Sequence, residues 1–365
     1  MKISTEQVLN ALSQVIEPDL KKDLVSLGMI RDLEIEGNQV RFSVVLTTPA
    51  CPLKESIKNA CIQAIHELVS KEAEVSVNLT SKVTSTRKND EPLLKGVKNI
   101  VAVASGKGGV GKSTIAANLA ITLARSGAKT ALVDADIYGP SVPLMFEALN
   151  VQLSAVEIDG QTKVIPLKKY GVSLLSIGFF VDASRALIWR GPMASGALKQ
   201  LFTDADWGEL DYMIVDLPPG TGDIHLSLVQ TVPLTGAIIV TTPQEVALAD
   251  ARKAVSMFSN ENIHVPVLGV VENMAWFSPA ELPENKYYIF GKEGGKRMAE
   301  AMNLPLLGQI PLIQSVREAG DNGKPEVLND QSLAKPYFES LAQKLAQQIS
   351  ISNAKKEGLQ AVKTV

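Results

Sequence analysis

Ile100-Val-Ala-Val-Ala-Ser-Gly-Lys-Gly-Gly-Val-Gly-Lys-Ser-Thr114 sets an apolar, β-branched run directly against a glycine-rich loop. Gly106, Gly111, Lys112 and Ser113 satisfy the spacing G-x-x-x-x-G-K-[ST], and Ile115-Ala-Ala-Asn-Leu-Ala-Ile-Thr-Leu-Ala124 follows as a helical stretch. Strand, loop and helix in that order are what a phosphate-binding loop requires. Its glycines let consecutive backbone N–H groups point into one concavity, and the helix N-terminus adds partial positive charge. Gly106, Lys107, Gly108, Gly109, Val110, Gly111, Lys112, Ser113 and Thr114 are the expected cradle for a nucleotide. In it Lys112 reaches the β- and γ-phosphates, Ser113 ligates Mg2+ through its hydroxyl, and Thr114 bonds the α-phosphate.

Lys107 is a second lysine where the pattern needs one. Early in the loop, it points away from its own cradle and can reach a nucleotide held by a facing subunit. There it would neutralise charge on the transferring phosphoryl oxygens, as an arginine finger does in trans, a role worth about 10³ to 10⁵ in rate. A catalytic homodimer follows from that reading; a solvated loop lysine is the plain alternative.

Beyond the loop, apolar runs at Ile100–Ala104, Thr130–Val133, Tyr212–Val215, Ala237–Val240 and Val265–Val271 alternate with helical stretches. Continuous runs of this kind indicate strands buried on both faces, hence an α/β, mostly parallel, doubly wound P-loop NTPase sheet. Two of these runs end in carboxylates: Asp134 and Asp136 after the first, Asp216 after the second. Ligands of open α/β sheets bind at the carboxyl ends of strands, so all three should face the phosphates. Asp216 is assigned to Mg2+ through water, and Asp136 to orienting or activating the attacking water. Asp134 supports the metal or the switch backbone. Pro218-Pro-Gly-Thr-Gly222 is a stiff turn followed by glycines, suited to a loop that moves when the γ-phosphate leaves. Asn273 offers a donor and an acceptor to a purine edge, and no aspartate follows as in the guanine-reading N-K-x-D pattern, so adenine, and thus ATP, is expected.

The length of 365 residues allows two or three domains, and 45% hydrophobic content supports a large core. Lysines and arginines number 36 against 39 aspartates and glutamates, so no global charge points to nucleic acid or an anionic membrane. Neither a stable nucleic-acid partner nor a membrane partner is expected. With no secretory segment after Met1 and no membrane-spanning run, a cytoplasmic address is expected. Residues 1–84 read as a small α/β domain, with helices near Thr5–Ile16 and Lys54–Val69 and strands around Ile30–Ile35, Val40–Leu46 and Glu74–Leu79. A polar linker covers 85–97 and the ATPase domain 98–350, with an inserted strand pair near Gly171 and a closing helix over Gln331–Ser350. Residues 351–365 read as a flexible tail.

The doubled-lysine loop, D-A-D-I-Y-G-P-S at Asp134–Ser141, W-R-G-P-M at Trp189–Met193, D-L-P-P-G-T-G-D at Asp216–Asp223 and E-N-M at Glu272–Met274 together resemble the Mrp/ApbC proteins. These are deviant Walker A ATPases related to the MinD/ParA proteins and the nitrogenase iron protein. The resemblance covers nearly the whole chain, because residues 1–80 are similar to the small domain of iron–sulfur assembly proteins. It implies a homodimeric iron–sulfur cluster carrier acting on apoproteins or assembly factors. Arg190, by its place in the third motif, caps a phosphate or the dimer face, or makes an ordinary surface ion pair.

One departure stands out. Members of that family carry C-x-x-C shortly after E-N-M, where thiolates of two subunits hold a bridging cluster, and Ala275–Gly291 contains no cysteine. The bridging site cannot form there. Cluster binding is then lost, relocated or handled by a partner. Cys51, in Thr47-Thr-Pro-Ala-Cys-Pro-Leu53, is the remaining candidate for cluster handling: it matches the family's small-domain T-x-P-x-C-P motif, and a following helix would favour its thiolate; the alternative is inert packing. Cys61 lies in line with Ile57, Ile65 and Leu68 and reads as core. The three histidines lack ligand spacing. A spatial-organising switch of the MinD/ParA type, acting on membrane or DNA, is the competing function; it calls for a basic amphipathic terminal helix, and Asn353–Val365 is a poor one.

Overall fold

The computed structural model describes residues 3–87, 93–158, 160–180, 191–261, 263–279, 281–282 and 284–363. Trp189 and Arg190 of the W-R-G-P-M motif, and part of the expected linker, lie outside the described residues. By packing, the chain divides into two units: residues up to Thr86 together with those from Ala346 onward, and Arg87–Leu345.

In the first unit, helix Thr5–Leu12 starts at Ser4 through a reciprocal cap. The Gln7 N–H donates to the Ser4 hydroxyl at 3.2 Å, and the Ser4 N–H donates to the Gln7 side chain at 3.0 Å. Gln39–Leu46 is the central strand of a three-stranded sheet, antiparallel to Ile30–Glu36 and parallel to Glu74–Ser81. Helix Lys54–Leu68 buries Ile57, Cys61 and Ile65 in the core of this unit, with Leu12, Leu24, Val40 and Val44. The C-terminal helix does not stop at Ser350 but runs over Lys335–Lys363. Over 351–363 a helix thus stands where a flexible tail was expected. Asn353, fully buried, donates to the Thr84 carbonyl at 3.1 Å, a bond across 269 residues that no local pattern announces.

The second unit is built on an eight-stranded sheet. Its order is Leu167–Lys169, Val172–Ser176, Thr130–Asp134, Leu210–Asp216, Val97–Ala104, Gly236–Thr241, Val267–Phe277, Leu306–Leu312. All neighbours are parallel except the first pair, a hairpin turning at Tyr170 and Gly171 with φ of 52° and 79°. Val172–Ser176 of that hairpin is therefore an integral sheet strand beside Thr130–Asp134, rather than part of an insertion. Helices Lys112–Arg125, Glu245–Phe258 and Gly294–Ala301 pack on the sheet. Ile115, Leu119, Ile121 and Leu123 of the first are fully buried, each such side chain contributing roughly 1.5–3 kcal/mol. Successive strands after Val97–Ala104 lie to one side of it, and Gly236–Thr241 returns on the other. The carboxyl end of Val97–Ala104 is thus the point where strand order reverses, the crevice where such sheets bind ligands. Among the described residues no helix is long and apolar enough to cross a membrane.

Candidate functional site

The glycine-rich loop leaves the central strand at this switch point. Gly109 and Gly111 have φ of 80° and 81°, which glycine tolerates and which turns the backbone into the concavity. Gly106 is required by a neighbour: a Cβ there would lie 2.1 Å from the Asp250 carbonyl carbon, in the backbone of helix Glu245–Phe258. Helix Lys112–Arg125 starts at Gly111 with no acidic residue in its first turn, so its N-terminal partial charge is uncompensated.

Lys112 is almost fully buried, its ammonium 2.6 Å from Asp216 Oδ1, 3.5 Å from Asp136 Oδ2 and 3.4 Å from the Ser113 hydroxyl. Burial opposes its charge, but Asp216 and Asp136 outweigh that and hold it above the ordinary lysine range. Asp216 has no exposed surface; burial raises its carboxyl, with the Lys112 charge and the Ser113 hydroxyl pulling it back. Its Oδ2 is buried without a hydrogen-bond partner. A carboxylate oxygen left open beside a serine hydroxyl, in a cluster of three aspartates around one lysine, is a donor set short of positive charge. It fits a divalent cation shared with phosphate oxygens and water. Protein ligands alone do not suffice, because among the described residues no group of three His, Cys, Asp or Glu side chains is arranged to hold a metal.

Asp134 is engaged elsewhere. Its Oδ1 accepts from the Asp136 N–H at 3.1 Å, and its Oδ2 from the Val142 N–H at 3.3 Å and the Ser176 hydroxyl at 2.9 Å. Burial, then the nearby Asp216 charge, push its carboxyl up to about 7. With both oxygens hydrogen-bonded it braces the Asp136 backbone, which favours the backbone-supporting alternative of the two expected of it. Ser176, absent from the sequence reading, carries that brace, and only the pairing of Ser176 with Asp134 in neighbouring strands reveals it.

Asn273 is tied to the phosphate loop. Strand Val267–Phe277 continues past Val271, and Met274 at φ 54° marks an irregularity that interrupts its pairing with Leu306–Leu312. The Asn273 amide donates to the Val110 carbonyl at 2.8 Å, and a Cβ on Gly111 would lie 2.2 Å from it. One donor of the amide braces the phosphate loop. Neighbouring Glu272, fully buried, accepts from the Gly295 N–H, the Lys296 N–H at 3.3 Å and the Gln309 amide at 2.9 Å, fixing the start of helix Gly294–Ala301.

Lys107 is half-buried and, among the described residues, its ammonium has no partner; only its carbonyl is held, by the Ser105 hydroxyl at 2.9 Å. Cys51 sits in the core of the first unit, and burial, the dominant effect, raises its thiol while the Leu53 N–H pulls it back. That corrects the expected thiolate: desolvation outweighs the helix end. Cys61 has no exposure, and burial pushes its thiol up to about 12.

Residues 96–346 match the family described as NUBPL iron-transfer P-loop NTPase, and residues 5–77 match the iron–sulfur cluster assembly protein family. The chain belongs to the P-loop NTPase family of iron transfer. Its relatives include the iron–sulfur cluster carrier protein of Synechocystis sp., 44% identical over 96% of this chain and 99% of its own. That of Deinococcus radiodurans is 47% identical over 95% and 96%. Among solved structures, the nucleotide-binding protein of Archaeoglobus fulgidus in complex with ADP aligns with a TM-score of 0.56 and 34% identity, covering 65% of this chain and 90% of its own. As in other P-loop NTPases, the site at the sheet's switch point is a nucleotide site.

Proposed function

We propose that this chain hydrolyses ATP as a homodimer and uses the cycle to load iron–sulfur clusters and pass them to apoproteins or assembly factors. The observation that carries the hydrolysis reading is the buried Lys112 held between Asp216 and Asp136 at the mouth of the phosphate loop. On nucleotide binding Lys112 exchanges Asp216 for β- and γ-phosphate oxygens, and the loop N–H groups take the β-phosphate. Ser113 and Asp216 would hold Mg2+, which supplies positive charge against the phosphate oxygens when bound. Asp136, its backbone braced by Asp134, orients the water whose oxygen bonds to the γ-phosphorus as the bond to the β–γ bridging oxygen breaks. The unpartnered Lys107 ammonium of the facing subunit stabilises charge on the transferring group. A cytoplasmic location belongs to the same proposal.

The cargo reading is supported by family membership and by relatives named as carriers over nearly their whole length. Within this chain Ala275–Gly291 has no thiolates to offer, and Cys51 and Cys61 are both buried, so the cluster is the cargo of an assembly larger than one bare chain. Anaerobic reconstitution of the full chain, with iron and sulfide analysis and transfer to an apo-acceptor, tests it. The expected result is ATP-dependent transfer that requires Lys112. Normal ATP turnover with no iron bound and no transfer, with or without an assembly partner, would leave an adaptor in place of a carrier.

A further inference from the structure

His225 is a buried titratable group that the hydrolysis reading leaves unused. It lies in the first turn of helix Asp223–Thr231, only 3% exposed, with Nε2 2.6 Å from the Pro218 carbonyl oxygen. A carbonyl only accepts, so Nε2 carries the proton and donates it. Burial pushes the imidazole below its ordinary range and keeps the ring neutral; Nδ1 is a bare acceptor, buried without a partner. The backbone N–H of the same residue donates to the Gly222 carbonyl at 3.0 Å. One residue therefore holds both ends of the Pro218–Gly222 loop.

The other side of that loop is fastened to the nucleotide site. The Leu217 N–H donates to the Val103 carbonyl at 3.1 Å, and the Gly220 N–H to the Ser105 carbonyl at 2.9 Å. The Ser105 hydroxyl in turn holds the Lys107 carbonyl. A Cβ on Gly108 would lie 3.9 Å from the Pro219 ring, so the proline stands over the phosphate loop with about a methyl group's space between them. The bonds run without a break from the imidazole, through Pro218 to Gly220, to the backbone that carries Lys107.

We propose that His225 is a positioning residue that clamps the Pro218–Gly222 loop onto the phosphate loop and so sets Lys107 and Asp216 for turnover. The turnover half rests on the ATP-hydrolysis reading; the clamp itself does not. Three substitutions separate the hydrogen bond from packing. His225→Leu keeps bulk and removes the donor, His225→Gln restores an N–H near the position of Nε2, and His225→Asn places its amide near Nδ1 instead.

The experiment combines amide hydrogen exchange at Leu217 and Gly220 of the full chain with steady-state ATP turnover. In His225→Leu and His225→Asn, exchange should quicken by about tenfold or more, because the loop opens locally more often. Turnover should fall about tenfold in kcat, equivalent to roughly 1.4 kcal/mol, with KM within about twofold. His225→Gln should return both towards the parent. Unchanged exchange in His225→Leu would overturn the clamp, as would equal losses in all three variants, which mark packing alone. If the parent turns over ATP no faster than a Lys112→Ala control, the hydrolysis reading fails, and the exchange pattern still decides the clamp.

Discussion

Lys112→Met should destabilise the nucleotide-free protein, and the loss should grow with pH. The parent ammonium is 6% exposed and stands 2.6 Å from Asp216 Oδ1, while Asp216 has no exposed surface. Removing one member of a buried pair leaves the other charge uncompensated, at a cost of about 3 kcal/mol near pH 8. The sign with pH follows from the carboxyl. Asp216 is already raised by burial, and without Lys112 it rises further. Through that range the folded variant holds a proton that the unfolded chain has lost, so its stability falls as pH rises, by at most about 1.4 kcal/mol per pH unit. Lys112 itself is raised, so in the parent its contribution is fully present below the ordinary lysine range and is lost only at higher pH. In the parent Lys112 pulls Asp216 back, so the fall of stability with pH from this pair should be shallower than in the variant. Urea unfolding followed by tryptophan fluorescence reads the correct unit, since Trp207 and Trp276 are both buried in Arg87–Leu345. Adding Asp216→Asn to Lys112→Met removes the orphaned charge and should recover most of the loss near pH 8 without restoring nucleotide binding. A single variant with the parent's midpoint near pH 8, or a double variant no more stable than the single, refutes the argument.

Gly106→Ala forces a methyl into the Asp250 backbone and should cost about 1–3 kcal/mol while abolishing nucleotide binding, read by urea midpoint and ADP titration. Asn273→Ala frees the Val110 carbonyl and should weaken ADP affinity about tenfold with adenine-over-guanine preference unchanged, whereas a base-reading role predicts loss of that preference. Lys107→Ala should bind ATP as the parent does yet hydrolyse it about 10³-fold more slowly, and mixing it with Asp136→Ala should restore part of the rate if the lysine acts in trans. Native Cys51 should react with iodoacetamide at least about tenfold more slowly than in urea, because burial raises its thiol and covers it.

The strands of the large sheet were legible because parallel strands are buried on both faces, and that burial writes an unbroken apolar run into the local chain. The phosphate loop was legible for a similar reason: positive φ at Gly109 and Gly111, and the close approach of Asp250 to Gly106, admit little but glycine. Strand-end carboxylates in such a sheet converge on the loop, which is why Asp134, Asp136 and Asp216 were expected to face the phosphates that Lys112 reaches. What these groups do to one another was not legible. The Lys112–Asp216 pair spans 104 residues and the Asn273–Val110 bond 163, and whether an amide braces a loop or reads a base depends on where a strand irregularity aims it. Ser176 reaches Asp134, and His225 reaches Pro218, through strand order and a helix start that no periodicity encodes. Sequence alone thus determined the nucleotide-binding fold and its charged inventory, whose requirements are local. Tertiary structure decided which partners Asp134, Asn273 and His225 bond and how deeply Cys51 is buried, because hydrogen-bond partners and desolvation belong to the packed interior.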